Sequence, residues 1–430
     1  MPFVTRLVPL LLGLWLGGAQ AAVEIAADDY GFPLANPFEA PIGGTPPALR
    51  PPLPDDAEIV QADHSLRLRP RRELPNNFWA VKTLKYRLAR QSGPAPLVFI
   101  IAGTGAHYAS ASMEELKRLF YGAGYHVVQL SSPTSYDFMA AASKHATPGL
   151  SDHDAADLYR VMQKVRAQQR DLPVTDYYLT GYSLGGLHAA FVSHLDERLG
   201  DFDFRRVLLI NPPVNLYTSV SNLDRLVQTE VAGIDNTRTF YDLILGKLAR
   251  YFEERGSAQL DAALLHDVQR SRQRLSDEEM AMLIGAVFRF SAADIAFTSD
   301  LINRRGAVIP PRYPMDEGTS LTPFFKRALL CDFQCYMREQ LIPFWRKLDG
   351  GGSLLQLIDQ TSLYALQDYL AGSAKIAVFH NRDDLILGPG DLGFLRRTLG
   401  ARLTLFPRGG HCGNMNYRVN TQAMLEFFRD

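Results

Sequence analysis

The chain has 430 residues, 47% of them hydrophobic, enough to bury a large core. With 45 Lys and Arg against 46 Asp and Glu the formal net charge is −1, which leaves no footprint for nucleic acid, and the short basic clusters Arg69-Pro70-Arg71-Arg72 and Arg304-Arg305 read as solvated faces. The three cysteines and ten histidines show no metal-ligand spacing, so no metal is expected.

Residues 1–21 read as a secretory signal peptide: Arg6 precedes an apolar run from Leu7 to Gly18, and Ala19-Gln20-Ala21 makes a cleavage site. The run is short for a bilayer, and no other stretch reads as long enough, so the expectation is an exported protein, periplasmic or secreted. Residues 22–79 form a Pro/Gly-rich N-terminal arm with Pro46-Pro47 and Pro51-Pro52-Leu53-Pro54. From about Asp28 to Asp56 that composition predicts no regular element and an extended arm, read as an ordered crossing of the domain in preference to a partner-binding one.

From residue 80 to 213 strands and helices alternate. Strands are predicted over 81–89, 96–102, 126–130, 176–180 and 206–210, with helices over 113–121, over 152–169 and after Ser183. Ser151 and Asp154 have capping-box spacing ahead of the second helix. Repeated strand-helix units call for a mostly parallel sheet flanked by helices, an α/β fold.

Between 214 and 372 the alternation stops and a helical cap is predicted. Apolar residues recur at helical spacing through Phe240, Leu243, Ile244 and Leu248, and through Met280, Leu283, Ile284 and Val287, with Ser276 and Glu279 as a capping box. Phe324, Phe325, Leu329, Leu330, Phe333, Phe344 and Trp345 form an aromatic-rich stretch, read chiefly as packing; the functional alternatives are an acyl pocket or peripheral contact with a membrane. Cys331 and Cys335 lie four apart, as two buried thiols or as a disulfide that a regular helix would strain. Residues 373–430 return to the alternation, with strands over 375–380 and 402–406 ending in the loops Asn381-Arg382-Asp383-Asp384 and Pro407-Arg408-Gly409-Gly410-His411-Cys412-Gly413.

One pentapeptide carries the chemistry. Gly181-Tyr182-Ser183-Leu184-Gly185 stands between a strand-like run and a helix, a turn that lifts a serine hydroxyl above a sheet while small flanking residues avoid collision. A serine hydroxyl is inert at neutral pH without a base, and carboxylates followed by a histidine come next in chain order, each at the end of a strand.

These residues together resemble the α/β-hydrolase superfamily in its lipase, esterase and thioesterase branches, over roughly residues 80–213 and 373–430. The resemblance implies an α/β-hydrolase fold, with the cap inserted between two late strands. It makes Ser183 the nucleophile, His411 the general base and acid, and Asp384, preferred to Asp383, the group that orients the imidazole. It places an oxyanion hole at the backbone N–H groups of Leu184 and Thr104, with Gly105 as the next donor; Gly105, His107 and Tyr182 are the other residues expected near substrate. Many members have His-Gly where this chain has Ala102-Gly103, which leaves the identity of the second donor open. The implied activity is hydrolysis of a carboxylic ester or thioester with a small-molecule or lipid acyl group, without a cofactor. An acyltransferase using the same residues, or a non-catalytic binding module, are the alternatives.

Overall fold

The computed structural model describes residues 21–68, 83–231, 239, 274–314, 319–350 and 352–429. Nine strands form one sheet: β1 (Val23–Glu24), β2 (Gln61–Leu66), β3 (Leu84–Ala89), β4 (Ala95–Ile101), β5 (His126–Leu130), β6 (Val174–Tyr182), β7 (Arg206–Ile210), β8 (Ile376–Asn381) and β9 (Leu403–Phe406), in the order β1-β9-β8-β7-β6-β4-β5-β3-β2. Every pairing from β1 to β5 is parallel; β3 and β2 run antiparallel at one end. The middle strands are buried on both faces, which is why their sequences read as continuous apolar runs.

The side-chain period of two splits β4 cleanly between two cores. Leu97, Phe99 and Ile101 pack with helices α2 (Ser151–Gln168), α3 (Leu184–Leu199) and α6 (Asp391–Leu399), whereas Val98 and Ile100 pack with α1 (Ala111–Gly122) and α7 (Arg418–Arg429). β5 and β7 occupy the predicted residues, and the other predicted core strands fall within a few positions.

The N-terminal arm contains regular structure that its composition did not suggest. β1 pairs with β9 at one edge of the sheet and β2 pairs with β3 at the other, so residues 22–66 cross the whole sheet. β2 was hidden because an edge strand needs no apolar face, and Gln61-Ala62-Asp63-His64-Ser65 is nearly all polar. On the way Tyr30, Phe32, Leu34 and Ala40 bury themselves.

The capping box expected at Ser151 and Asp154 is absent. Leu150 is the N-cap, Ser151 Oγ donates to the Thr361 carbonyl, and Asp154 Oδ2 accepts the Gly149 N–H at 2.8 Å. The side chains answer to the loop before the helix and to the region beyond β7, partners that local spacing does not encode. At Ser276 the predicted box does form.

Between β7 and β8 most of the described residues are helical. α4 (Leu216–Arg225) and α5 (Asp277–Asn303) pack together, and the Arg289 guanidinium grips Asp224, whose other oxygen accepts the Phe333 N–H. Contrary to expectation, α5 is long and apolar enough to cross a membrane by length and composition. Here it packs against α4 and the short helices Tyr136–Ala141 and Thr322–Ala328, and Asp300 near its end accepts four backbone N–H groups from residues 306 to 309. The helical spacing from Phe240 to Leu248, the leader up to residue 20 and the Arg69–Arg72 cluster lie outside the described residues.

Cys331 and Cys335 are joined by a disulfide. The strain of a regular helix does not arise, because Asp332 is the N-cap of the helix Phe333–Tyr336 and Cys331 lies before it. From Met337 to Leu341 the backbone widens into a π turn, just ahead of Pro343, which has no N–H to give the carbonyl four residues back. Of the aromatic-rich stretch, Phe324, Phe325 and Leu329 pack against α5, Phe344 and Trp345 are buried, and Leu330 is 85% exposed.

Candidate active site

Ser183 ends β6 and opens α3. Its backbone lies at φ 53°, ψ −128°, held by its N–H to the Ile210 carbonyl and by Gly186 N–H to its own carbonyl. The turn is possible because a Cβ on Gly185 would lie 2.2 Å from the Ile101 carbonyl oxygen; helix α3 crosses β4 at a distance that only glycine permits.

Three strand ends converge on this serine. His411, in the loop after β9, has Nε2 at 2.8 Å from Ser183 Oγ and Nδ1 at 3.0 Å from each oxygen of Asp384, in the loop after β8. Buried Asp384 also accepts Asn211 Nδ2 at 2.8 Å and the Ile386 N–H at 3.1 Å. Burial pushes its carboxyl up, but the charge of His411, their hydrogen bond and His380 nearby pull it below the usual carboxylate range. For His411, burial acts downward and the Asp384 charge outweighs it, leaving the imidazole well above its ordinary value.

Asp383 does a different job. Its oxygens accept the N–H groups of Gly409 and Gly410, tying the loop after β8 to the loop that carries His411. Burial raises its carboxyl, with those two N–H groups acting against the rise. His380 Nδ1 lies 3.0 Å from the Asn381 N and 3.7 Å from Asp384 Oδ2, and its Nε2 lies 3.1 Å from the Pro212 carbonyl oxygen.

An amide network behind the histidine loop escaped the reading of the sequence. Asn381 Nδ2 donates to the Gly410 carbonyl and to Asn414 Oδ1, and Asn414 Nδ2 donates to Tyr30 Oη in the arm. The arm presses directly on the loop: a Cβ at Gly410, where φ is +52°, would lie 2.3 Å from the Pro37 carbonyl oxygen. Asn211 was missed too. Its one visible signal is a polar residue at the C-terminal end of a buried strand.

Beside Ser183, the backbone N–H groups of Thr104 and Leu184 have no acceptor among the described residues. Both residues line one cavity beneath the helices that follow β7, open in part to solvent. Its walls include Leu216, Val220, Phe288, Ile295, Met337 and Leu341, and of the aromatic-rich stretch Phe333. The N–H of Gly105 is taken by Thr134 Oγ1 at 2.8 Å, which removes it as the alternative donor. His107 is exposed and accepts the Ala109 N–H; Tyr182 lays its ring over Gly103, its Oη 3.5 Å from Ser110 Oγ. None of these three lines the cavity. Cys412 Sγ lies 3.9 Å from His411 Nε2.

A strained serine at the end of a central parallel strand, with an acid after β8 and a histidine after β9 on the far side of β7, joins the sheet order to the elbow. The fold is that of the α/β hydrolases. The chain is similar to the thermostable esterase of Pseudomonas putida, at 12% identity over 87% of this chain and 83% of that one, with a TM-score of 0.42. It is similar also to the peroxisomal α/β-hydrolase Lpx1 of Saccharomyces cerevisiae, at 14% identity, 86% and 90% coverage and a TM-score of 0.43. The thioesterase domain from the curacin biosynthetic pathway matches at 14% identity, 86% and 100% coverage and a TM-score of 0.38. No protein-family model matches the chain, nor does any curated protein.

Proposed function

We propose that the protein is an exported serine hydrolase that cleaves a carboxylic ester or thioester of an apolar acyl group through an acyl-enzyme. The observation that carries this reading is the hydrogen-bonded chain Ser183–His411–Asp384, at 2.8 and 3.0 Å, ending at a serine on a strained turn. Neutral His411 takes the Oγ proton as Ser183 attacks the acyl carbon, and Asp384 steadies the imidazolium that forms. The amides of Thr104 and Leu184 hold the developing oxyanion, a role for which unoccupied, preoriented donors are suited. His411 then protonates the leaving group, and water activated by the same ring releases the acid.

The cavity supports an apolar acyl group, since its long wall of Leu, Ile, Val, Phe and Met offers little to a polar one. The leader and the Cys331–Cys335 disulfide support a periplasmic or secreted site of action, where disulfides persist. The test is covalent labelling with a fluorophosphonate and turnover of p-nitrophenyl acyl esters. Wild-type protein labels at Ser183 and hydrolyses the esters, while Ser183→Ala does neither and melts at the same temperature, because little packing volume is lost. Ester turnover by Ser183→Ala within tenfold of wild type would sink the assignment.

A further inference from the structure

One charged side chain stands in the wall of the largely apolar cavity. Asp154, on the first turn of α2, is 4% exposed and lines the cavity. Its Oδ2 accepts the Gly149 N–H at 2.8 Å, and His188 Nε2 lies 3.6 Å from it. Its Oδ1 has no hydrogen-bond partner among the described residues. That oxygen is not sealed inside the protein, and at the wall of a ligand cavity it is a waiting acceptor. His188 sits five residues after Ser183 on α3, roughly 7 to 8 Å along the helix axis at 1.5 Å per residue, and Asp154 shares its cavity with Thr104 and Leu184.

We infer that the cavity selects an acyl chain bearing a hydroxyl part-way along, donated to Asp154 Oδ1. This deepens the acyl-enzyme reading above and rests on it. A hydroxyl fits better than an ammonium: it needs one acceptor, whereas an ammonium needs three, and the surrounding lining is apolar. Asp154 is thus a specificity-determining residue, distinct from the groups that do the chemistry. Because a site built to bond a hydroxyl leaves its own acceptor unpaired when the hydroxyl is missing, it discriminates against the plain chain.

The test uses p-nitrophenyl esters of medium-chain acids, plain or with one hydroxyl at successive carbons of the distal half, with a methyl ether and an ammonium as comparison arms. For wild type, kcat/KM should peak at one hydroxyl position, at least tenfold above the plain chain, as a hydrogen bond to a charged group warrants. The methyl ether at that carbon should lose the gain. In Asp154→Asn the ratio of hydroxylated to methyl-ether substrate should collapse towards one, because the new side chain can keep its oxygen on Gly149 and turns towards the cavity a donor that either oxygen can accept. Plain chains matching every hydroxylated one, an ammonium outperforming the hydroxyl, or a ratio that survives in Asp154→Asn would each overturn the inference. Should Asp154→Asn not fold, the positional series in wild type decides alone. Failure of the hydrolase reading looks different, as no ester turned over and no label at Ser183. The preference is then read from binding of the free hydroxy acid against the plain acid to Ser183→Ala protein, where equal affinities would overturn it.

Discussion

A non-glycine residue at φ 53° carries on the order of 1–3 kcal/mol of backbone strain, and Ser183 is held there by hydrogen bonds to β7 and within the first turn of α3. Its neighbour in function, His411, carries the opposite kind of tension, between burial that disfavours a charged ring and the Asp384 carboxylate that favours it. The carboxylate wins, so the imidazole titrates well above the ordinary 6.5. Activity needs the neutral ring. A kcat/KM profile for a non-ionising ester should therefore climb with pH on a limb of unit slope centred above 6.5; a midpoint at or below that value would show that Asp384 does not set the base. Stability runs the other way. A histidine raised on folding stabilises the native chain below its unfolded pKa, and that contribution is lost as pH rises through the folded value, so the alkaline side gains rate as it loses this part of stability.

Two adjacent aspartates in one loop have been given separate tasks by geometry alone. Asp384 faces the imidazole, and Asp383 holds the backbone of the loop that delivers it. Asp384→Asn leaves the ring in the wrong tautomer and should lower kcat by on the order of 10⁴. Asp383→Asn keeps one acceptor for two N–H donors and should cost roughly tenfold to thirtyfold in kcat, the size expected when a charged hydrogen bond is weakened, together with a lower melting temperature. Saturating kinetics and thermal melts on both variants check the ranking. The reverse order would make Asp383 the orienting acid and leave Ser183 and His411 in place. The arm belongs to the same assembly, since Tyr30, Asn414 and Asn381 join it to both loops.

Across the whole molecule, the sheet brings the two loops to Ser183 while the helices between β7 and β8 enclose the space beside it. α4, α5 and the segment containing Phe333 are locked together through Asp224, so the cavity wall is one connected body. If acyl chains occupy it, each methylene taken from water contributes about 0.8 kcal/mol, a gain of up to about fourfold per carbon where it is realised in the transition state. Medium-chain esters should accordingly exceed acetyl esters in kcat/KM by several such steps. A series of p-nitrophenyl esters of increasing length measures this, and fastest turnover of acetyl or butyryl esters would remove the apolar cavity from the mechanism.

What the sequence by itself determined is whatever local chemistry can write. The apolar runs of β4 to β8, the glycines around Ser183 and the polar loops at the ends of β8 and β9 each carry their signal within a few residues. The tertiary structure decided the rest. The choice between Asp383 and Asp384 turned on which side chain faces a loop 27 residues away, and the bond from Asn414 to Tyr30 spans 384 positions. β2 was invisible because an edge strand buries little, and the disulfide turned on where one short helix begins. Asp154 is the clearest case. Its spacing from Ser151 fits a cap, yet its carboxylate is turned to Gly149, His188 and the cavity. A side chain's partners are set by which elements the fold brings together, and adjacency along the chain does not contain that.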